Sequence, residues 1–143
     1  MTIKHRPDFS VDDMNDKLPG ALPGLMGIEC VAVRDGELDG RMPLRPDHLA
    51  PNGYLHAASV VALADTVAGM ATWAHLPDGA SGFTTIELKS NHLGTAREGT
   101  ISCTAKGQHL GQTTQVWDVA VVHDDTAKTI ALFRCTQMIL WPR

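Results

Sequence analysis

From Ala57 to Ala74 the chain runs through an apolar stretch of 18 residues with a single acid, Asp65, at its centre. Seven alanines, one glycine, Ser59, Thr66 and Thr72 keep the stretch only weakly hydrophobic. Its length is near the lower limit for crossing a bilayer. An aspartate at mid-span, however, costs about 2.5–3.5 kcal/mol on insertion scales. A helix apolar on nearly all sides is better accommodated as a buried central helix. Such a helix must be wrapped over most of its surface, and the rest of the chain has to supply the wrapping.

Beyond the helix the chain is strand-like. Four runs are predicted: Phe83 to His92, Gly99 to Lys106, Thr113 to His123 and Lys128 to Leu140, with Asp124-Asp125-Thr126 as the last hairpin turn. In the first run alternation sets Ile86 and Leu88 on one face and Thr85, Glu87 and Lys89 on the other. In the third, Trp117, Val119 and Val121 share one face and Val116, Ala120 and Val122 the other. Short connections predict antiparallel pairing of successive runs. Before the helix, Leu25 to Val33 reads as a strand, Arg34-Asp35-Gly36 as a turn, and Glu37 to Leu44 as a more polar strand. Arg45 to Leu55 is a loop holding Pro46, Pro51 and Asn52-Gly53. Residues 1–24 form an N-terminal arm, with a short helix over Val11 to Leu18 and breaks at Pro19-Gly20 and Pro23-Gly24. The expected architecture is α+β: one domain over residues 25–143, a curved antiparallel sheet around one long helix. The uncovered side of that helix calls for a second copy of the chain.

Composition limits the function classes. Among the 143 residues, twelve Lys+Arg against sixteen Asp+Glu give a net charge of −4, unlike the basic patch of a nucleic-acid binder. Cys30, Cys103 and Cys135 are odd in number, far apart and set in apolar runs, which reads as buried thiols in a reducing cytoplasm. The polar start, Met1 to Ser10, lacks the apolar run of a signal peptide. The seven histidines show no H-x-H or H-x-x-x-H spacing, so no metal is expected. Neither a phosphate-binding glycine loop nor a G-x-S-x-G elbow is present.

Asp65 is the residue that carries chemistry. It is either paired with an Arg or a backbone cap, or it is a nucleophile or general base at a cleft. No cationic residue lies on its own helix. The helix start, Asn52-Gly53-Tyr54-Leu55-His56-Ala57-Ala58, is the second feature. Its small residues leave the first N–H groups sterically open, and those groups with the helix dipole suit a developing oxyanion. The alternative is a plain junction with a satisfied His56.

Gly53, His56, the two small residues after it, Leu63 and Asp65-Thr66 together resemble the PaaI-type acyl-CoA thioesterases of the hotdog superfamily. His109-Leu110-Gly111 with Gln115-Val116-Trp117 resembles that family's turn near CoA, and the likeness covers about residues 25 to 140. The resemblance implies that Asp65 is the catalytic carboxylate, attacking the thioester or activating water. It implies that the Ala57 N–H polarises the thioester oxygen, that His56 shapes the mouth of the site, and that Thr85 matches a Ser/Thr that positions water in some members. CoA would be met by Lys106, His109, Gly111, Gln112 and Thr113, with no cofactor beyond the CoA of the substrate. Many members carry Asn or Gln six residues before the histidine; here that position is Ala50, so either Asn52 supplies the amide or the role is lost.

Ala57 and Asp65 are eight residues apart, roughly 12 Å along one helix, whereas a carbonyl under attack needs both groups at about 3 Å. Two helices side by side and antiparallel in a homodimer, itself able to build a tetramer, satisfy the requirement. Two other readings compete: an enoyl-thioester hydratase or dehydratase of the same fold, and a non-catalytic acyl-CoA binding module. The absence of an F-x-G-H-F-P type motif counts against the first.

Overall fold

The computed structural model describes residues 3–143. Its elements are α1 (Val11–Asp16), α2 (Leu22–Met26), β1 (Glu29–Arg34), β2 (Glu37–Pro43), α3 (Ala57–Ala74), β3 (Gly82–His92), β4 (Thr100–Leu110), β5 (Thr114–His123) and β6 (Lys128–Leu140). The six strands form one sheet in the order β1-β2-β4-β5-β6-β3, with every pair antiparallel. Helix α3 lies along one face of it. Leu63, Ala64, Val67, Ala68 and Ala71 are fully buried against Leu38, Ile101, Ala105, Trp117 and Val121. At roughly 25 cal/mol per Å² of apolar surface removed from water, this layer is the main stabiliser of the fold. The weakly hydrophobic span is thus the core helix inside a wrapped sheet, a hotdog architecture.

The small residues let the layers close up. A Cβ on Gly40 of β2 would run into Val67 Cγ2, so α3 rests on β2 at that point. The aromatic residues cluster near the end of α3, where the Trp73 ring meets Phe9 at 6.2 Å and Phe83 at 6.3 Å between centroids. Phe9 and Met14 of the N-terminal segment are buried in the same core, and Arg6 N–H donates to Ala74 C=O at 2.7 Å.

Three sequence expectations are corrected. The strand predicted from Leu25 begins only at Glu29, because Leu22–Met26 is a helical turn. Pro23 sits in its first turn, where its missing N–H costs nothing, and Gly27 closes it with φ 76°. Leu25 is 70% exposed, so the apolar run there is not core. Second, successive late strands do not all pair. β3 pairs with β6 and β4 with β2, because the sheet has to enclose α3 from both sides. Third, a bulge between Thr85 and Glu87 resets the alternation in β3. Thr85 lies opposite Gln137 and Leu88 opposite Cys135. Both therefore share the helix-facing side with Cys135, which is itself opposite the buried Trp117. Glu87 and Lys89 face outward, opposite Thr136 and Arg134.

The two sheet edges are treated differently. At β1, the Asn15 side chain takes the Cys30 N–H at 2.8 Å and donates to the Cys30 C=O at 2.9 Å, sealing the edge with one amide. The β3 edge carries an exposed run from Thr84 to Lys89, with Ile86 at 54% and Leu88 at 42% exposure. All three cysteines are free and buried.

Candidate active site

Asp65 sits at the middle of α3, on the side that the sheet leaves half-covered. Ala58, Val61, Ala62, Thr66 and Met70 share that side and are exposed or only partly buried. Burial alone pushes the Asp65 carboxyl above the ordinary value of 3.8. Its Oδ1 is buried without a hydrogen-bond partner, and no cation stands beside it among the described residues. The reading of Asp65 as one half of a structural ion pair is thereby removed. Cys135 of β6 feels the carboxylate: burial first, then the Asp65 charge, raises its thiol to about 12.

The helix start is built by a short chain of bonds. Gly53, at φ 85°, turns the loop, and its N–H donates to Ala50 C=O at 2.9 Å. His48 is fully buried; its C=O accepts from His56 N–H at 3.0 Å and from Ser59 Oγ at 2.8 Å. His56 caps α3. Its Nδ1 accepts from Ala58 N–H at 2.9 Å, and its C=O accepts from Ser59 and Val60 N–H at 2.9 and 3.4 Å. Of the first four helical N–H groups, the one on Ala57 is left without an acceptor among the described residues. It lies on an exposed residue at the positive end of the dipole.

The remaining candidates separate into two groups. Asn52 is exposed at the tip of the turn, and its Oδ1 accepts from Tyr54 N–H at 3.1 Å. Its amide oxygen is therefore spent locally as an Asx turn. Ala50 presents only a methyl, its own N–H and C=O closing the same turn with Tyr54 and Gly53. Thr85 stands on the exposed β3 edge facing α3. At the far end of the sheet His109, Gly111, Gln112 and Thr113 are brought together in the β4–β5 turn. There Gly111 N–H donates to Thr114 C=O at 2.9 Å, and His109 Nε2 is 3.3 Å from Thr114 Oγ1. Lys106 does not join them. It projects from the outer face with Glu37 Oε1 at 3.8 Å.

Sequence reasoning missed three residues. The Arg97 guanidinium covers the Tyr54 ring at 4.1 Å, placing a cation beside the helix start. Ser90 and Gln137 have buried, unpartnered side-chain atoms on the β3–β6 pair. No local pattern marks any of the three, since each is defined by a strand pairing or a loop crossing. A groove of about 980 Å³ lies on the opposite face of the sheet, between Arg41, Lys106, Asp118 and Arg134, away from these groups. In the single chain the chemistry faces outward from α3 rather than into a closed cavity.

Known proteins resemble this chain in sequence and fold. The thioesterase superfamily matches residues 52–130. A 1,4-dihydroxy-2-naphthoyl-CoA hydrolase of Listeria monocytogenes is 32% identical over 111 residues, 78% of this chain and 89% of that one. The structure of a Pseudomonas aeruginosa thioesterase bearing a glutamine-to-alanine substitution superposes with a TM-score of 0.89, at 29% identity, covering 95% of this chain and 97% of that one. The Escherichia coli PaaI protein shares the fold with a TM-score of 0.80 at 23% identity, covering 92% of this chain and 91% of that one. The chain belongs to the thioesterase superfamily, as a thioester hydrolase with the hotdog fold.

Proposed function

We propose that the protein hydrolyses an acyl-CoA thioester, with an aryl acyl group preferred over medium-chain ones, in a site shared between two copies. The observation that carries this is the unpaired, burial-raised Asp65 on the half-covered side of α3, with an open Ala57 N–H on the same helix. The aryl preference rests on the naphthoyl-CoA hydrolase among the relatives.

The second copy follows from the edges. β1 is sealed by Asn15, whereas β3 offers an unpaired edge with two apolar side chains. A long open edge invites another strand. Pairing β3 with its two-fold mate sets the two α3 helices antiparallel and side by side. Asp65 then lies near the partner's Ala57, which supplies the oxyanion donor that its own helix holds roughly 12 Å away. Asp65 attacks the thioester carbon directly or takes a proton from water. The thiolate of CoA departs and is protonated, and the β4–β5 turn at His109 to Thr113 carries the CoA. The outer face of the sheet is the surface left for pairing dimers into a tetramer. The working compartment is the cytoplasm, where the three buried thiols stay reduced.

The test is thiol release with a disulfide reagent over benzoyl-, phenylacetyl-, short- and medium-chain acyl-CoAs. Turnover fastest on an aryl substrate is expected, and Asp65→Asn should lower kcat by at least about 10²-fold. No thiol release from any member of the panel, or an unchanged rate in Asp65→Asn, overturns the reading.

A further inference from the structure

Among the buried side-chain atoms without a hydrogen-bond partner are Asp65 Oδ1 on α3, Ser90 Oγ on β3, and Oε1 and Nε2 of Gln137 on β6. Gln137 is fully buried, yet both ends of its amide are unsatisfied. Its neighbour across the β5–β6 ladder shows what a structural glutamine looks like here. Gln115 is equally buried, but its Nε2 donates to His75 C=O at 2.8 Å and its Oε1 accepts from Trp117 Nε1–H at 3.0 Å. A buried amide left unmade carries its whole desolvation penalty, so Gln137 needs a partner that the fold does not supply.

Register sets Gln137 on the part of β6 that Asp65 influences. Cys135, whose thiol feels the Asp65 charge, is two residues before Gln137 on the same face of β6. That spacing is roughly 6.6 Å of strand. Thr85, directly opposite Gln137, flanks the same spot from the β3 edge. Ala50 and Asn52 bring no free amide oxygen to Asp65 from the loop side, since one has only a methyl and the other is committed to its turn.

We propose that Gln137 holds the attacking water against Asp65. This rests on the thioesterase reading above and deepens it. The water donates one hydrogen to Asp65 Oδ1 and the other to Gln137 Oε1, which leaves an oxygen lone pair for the thioester carbon. As the new C–O bond forms, one proton passes to Asp65. The C–S bond then breaks, and the CoA thiolate takes that proton back, giving a free acid and a thiol.

Gln137→Leu keeps the bulk and removes both amide ends. It should lower kcat about 10²-fold with little change in KM. Gln137→Glu places a second carboxylate beside Asp65 and should move the acid limb of kcat upward by about one pH unit. A single turnover in H₂¹⁸O should put the label in the acid product alone. Circular dichroism checks folding. If the Leu variant does not fold, Gln137→Asn, which draws the amide back by one methylene, should show the same loss of kcat. Wild-type kcat in the folded Leu or Asn variant, an unmoved acid limb in Gln137→Glu, or label in the Asp65 carboxylate each overturns the inference, while thiol release by the wild type and its loss in Asp65→Asn leave the underlying reading intact. No thiol release by the wild type removes both.

Discussion

An aspartate whose carboxyl is raised by burial works against the fold in its charged state. In the folded chain Asp65 holds its proton above 3.8, where the unfolded chain has already lost it. Between these two values the folded state binds more protons, so this group's contribution to stability falls as pH rises through the window and stays low above it. Asp65→Asn should therefore raise Tm at pH 8, and the gain should shrink toward pH 3.8; Tm of both proteins across pH tests this. Equal Tm values at pH 8 would contradict the burial argument. The same raised value bears on activity. A base must be deprotonated, so the acid limb of kcat/KM should lie above 3.8. Under the proposed reading the position trades stability for reactivity.

At the scale of elements, two contacts hold the frame that presents α3. Gly40 lets the helix rest directly on β2, and Gly40→Ala would push against Val67 Cγ2. That overpacking should cost about 1–3 kcal/mol, read as a lower denaturant midpoint at unchanged m. Asn15 closes the β1 edge with two hydrogen bonds to Cys30. Asn15→Ala should cost about 1–3 kcal/mol, since both Cys30 backbone groups lose their partner. A midpoint unchanged in either variant would show that the contact carries no weight. Neither residue announces itself. Gly40 reads as an ordinary strand glycine, and Asn15 bonds to a residue fifteen positions away. The bulge in β3 is equally silent, yet it turns Thr85 and Leu88 toward the helix and Glu87 and Lys89 away from it.

For the whole molecule the proposed shared site has a quantitative consequence. Ala57→Pro removes the open N–H, and it is tolerated because proline suits the first helical position. His56 already has φ −68° and ψ 134°, the extended conformation that a residue before proline adopts. Ala57→Pro alone and Asp65→Asn alone should each be nearly inactive. If the variants are mixed and allowed to exchange subunits, half of the dimers are mixed and each holds one intact site. The mixture should then recover about a quarter of the wild-type rate. Recovery of none of it would place donor and carboxylate in one chain.

Periodicity and residue chemistry were enough for the core helix, which runs from Ala57 to Ala74, for the antiparallel strands β5 and β6, for Asp65 as an acid with no local partner, and for His56 and Ala57 at the helix start. These are local facts: an apolar run, a cap, an acid where none is expected. The pairing of β3 with β6 rather than β4, the bulge at Ile86, the helical turn at Leu22–Met26 and the orphaned amide of Gln137 could not be read that way. Apart from the helical turn, which Pro23 and Gly27 set locally, each depends on which distant segment lies alongside, and a chain's order carries no measure of that. Burial and register arise only when the sheet closes around the helix, and they separate Gln115, bonded at both ends, from Gln137, bonded at neither.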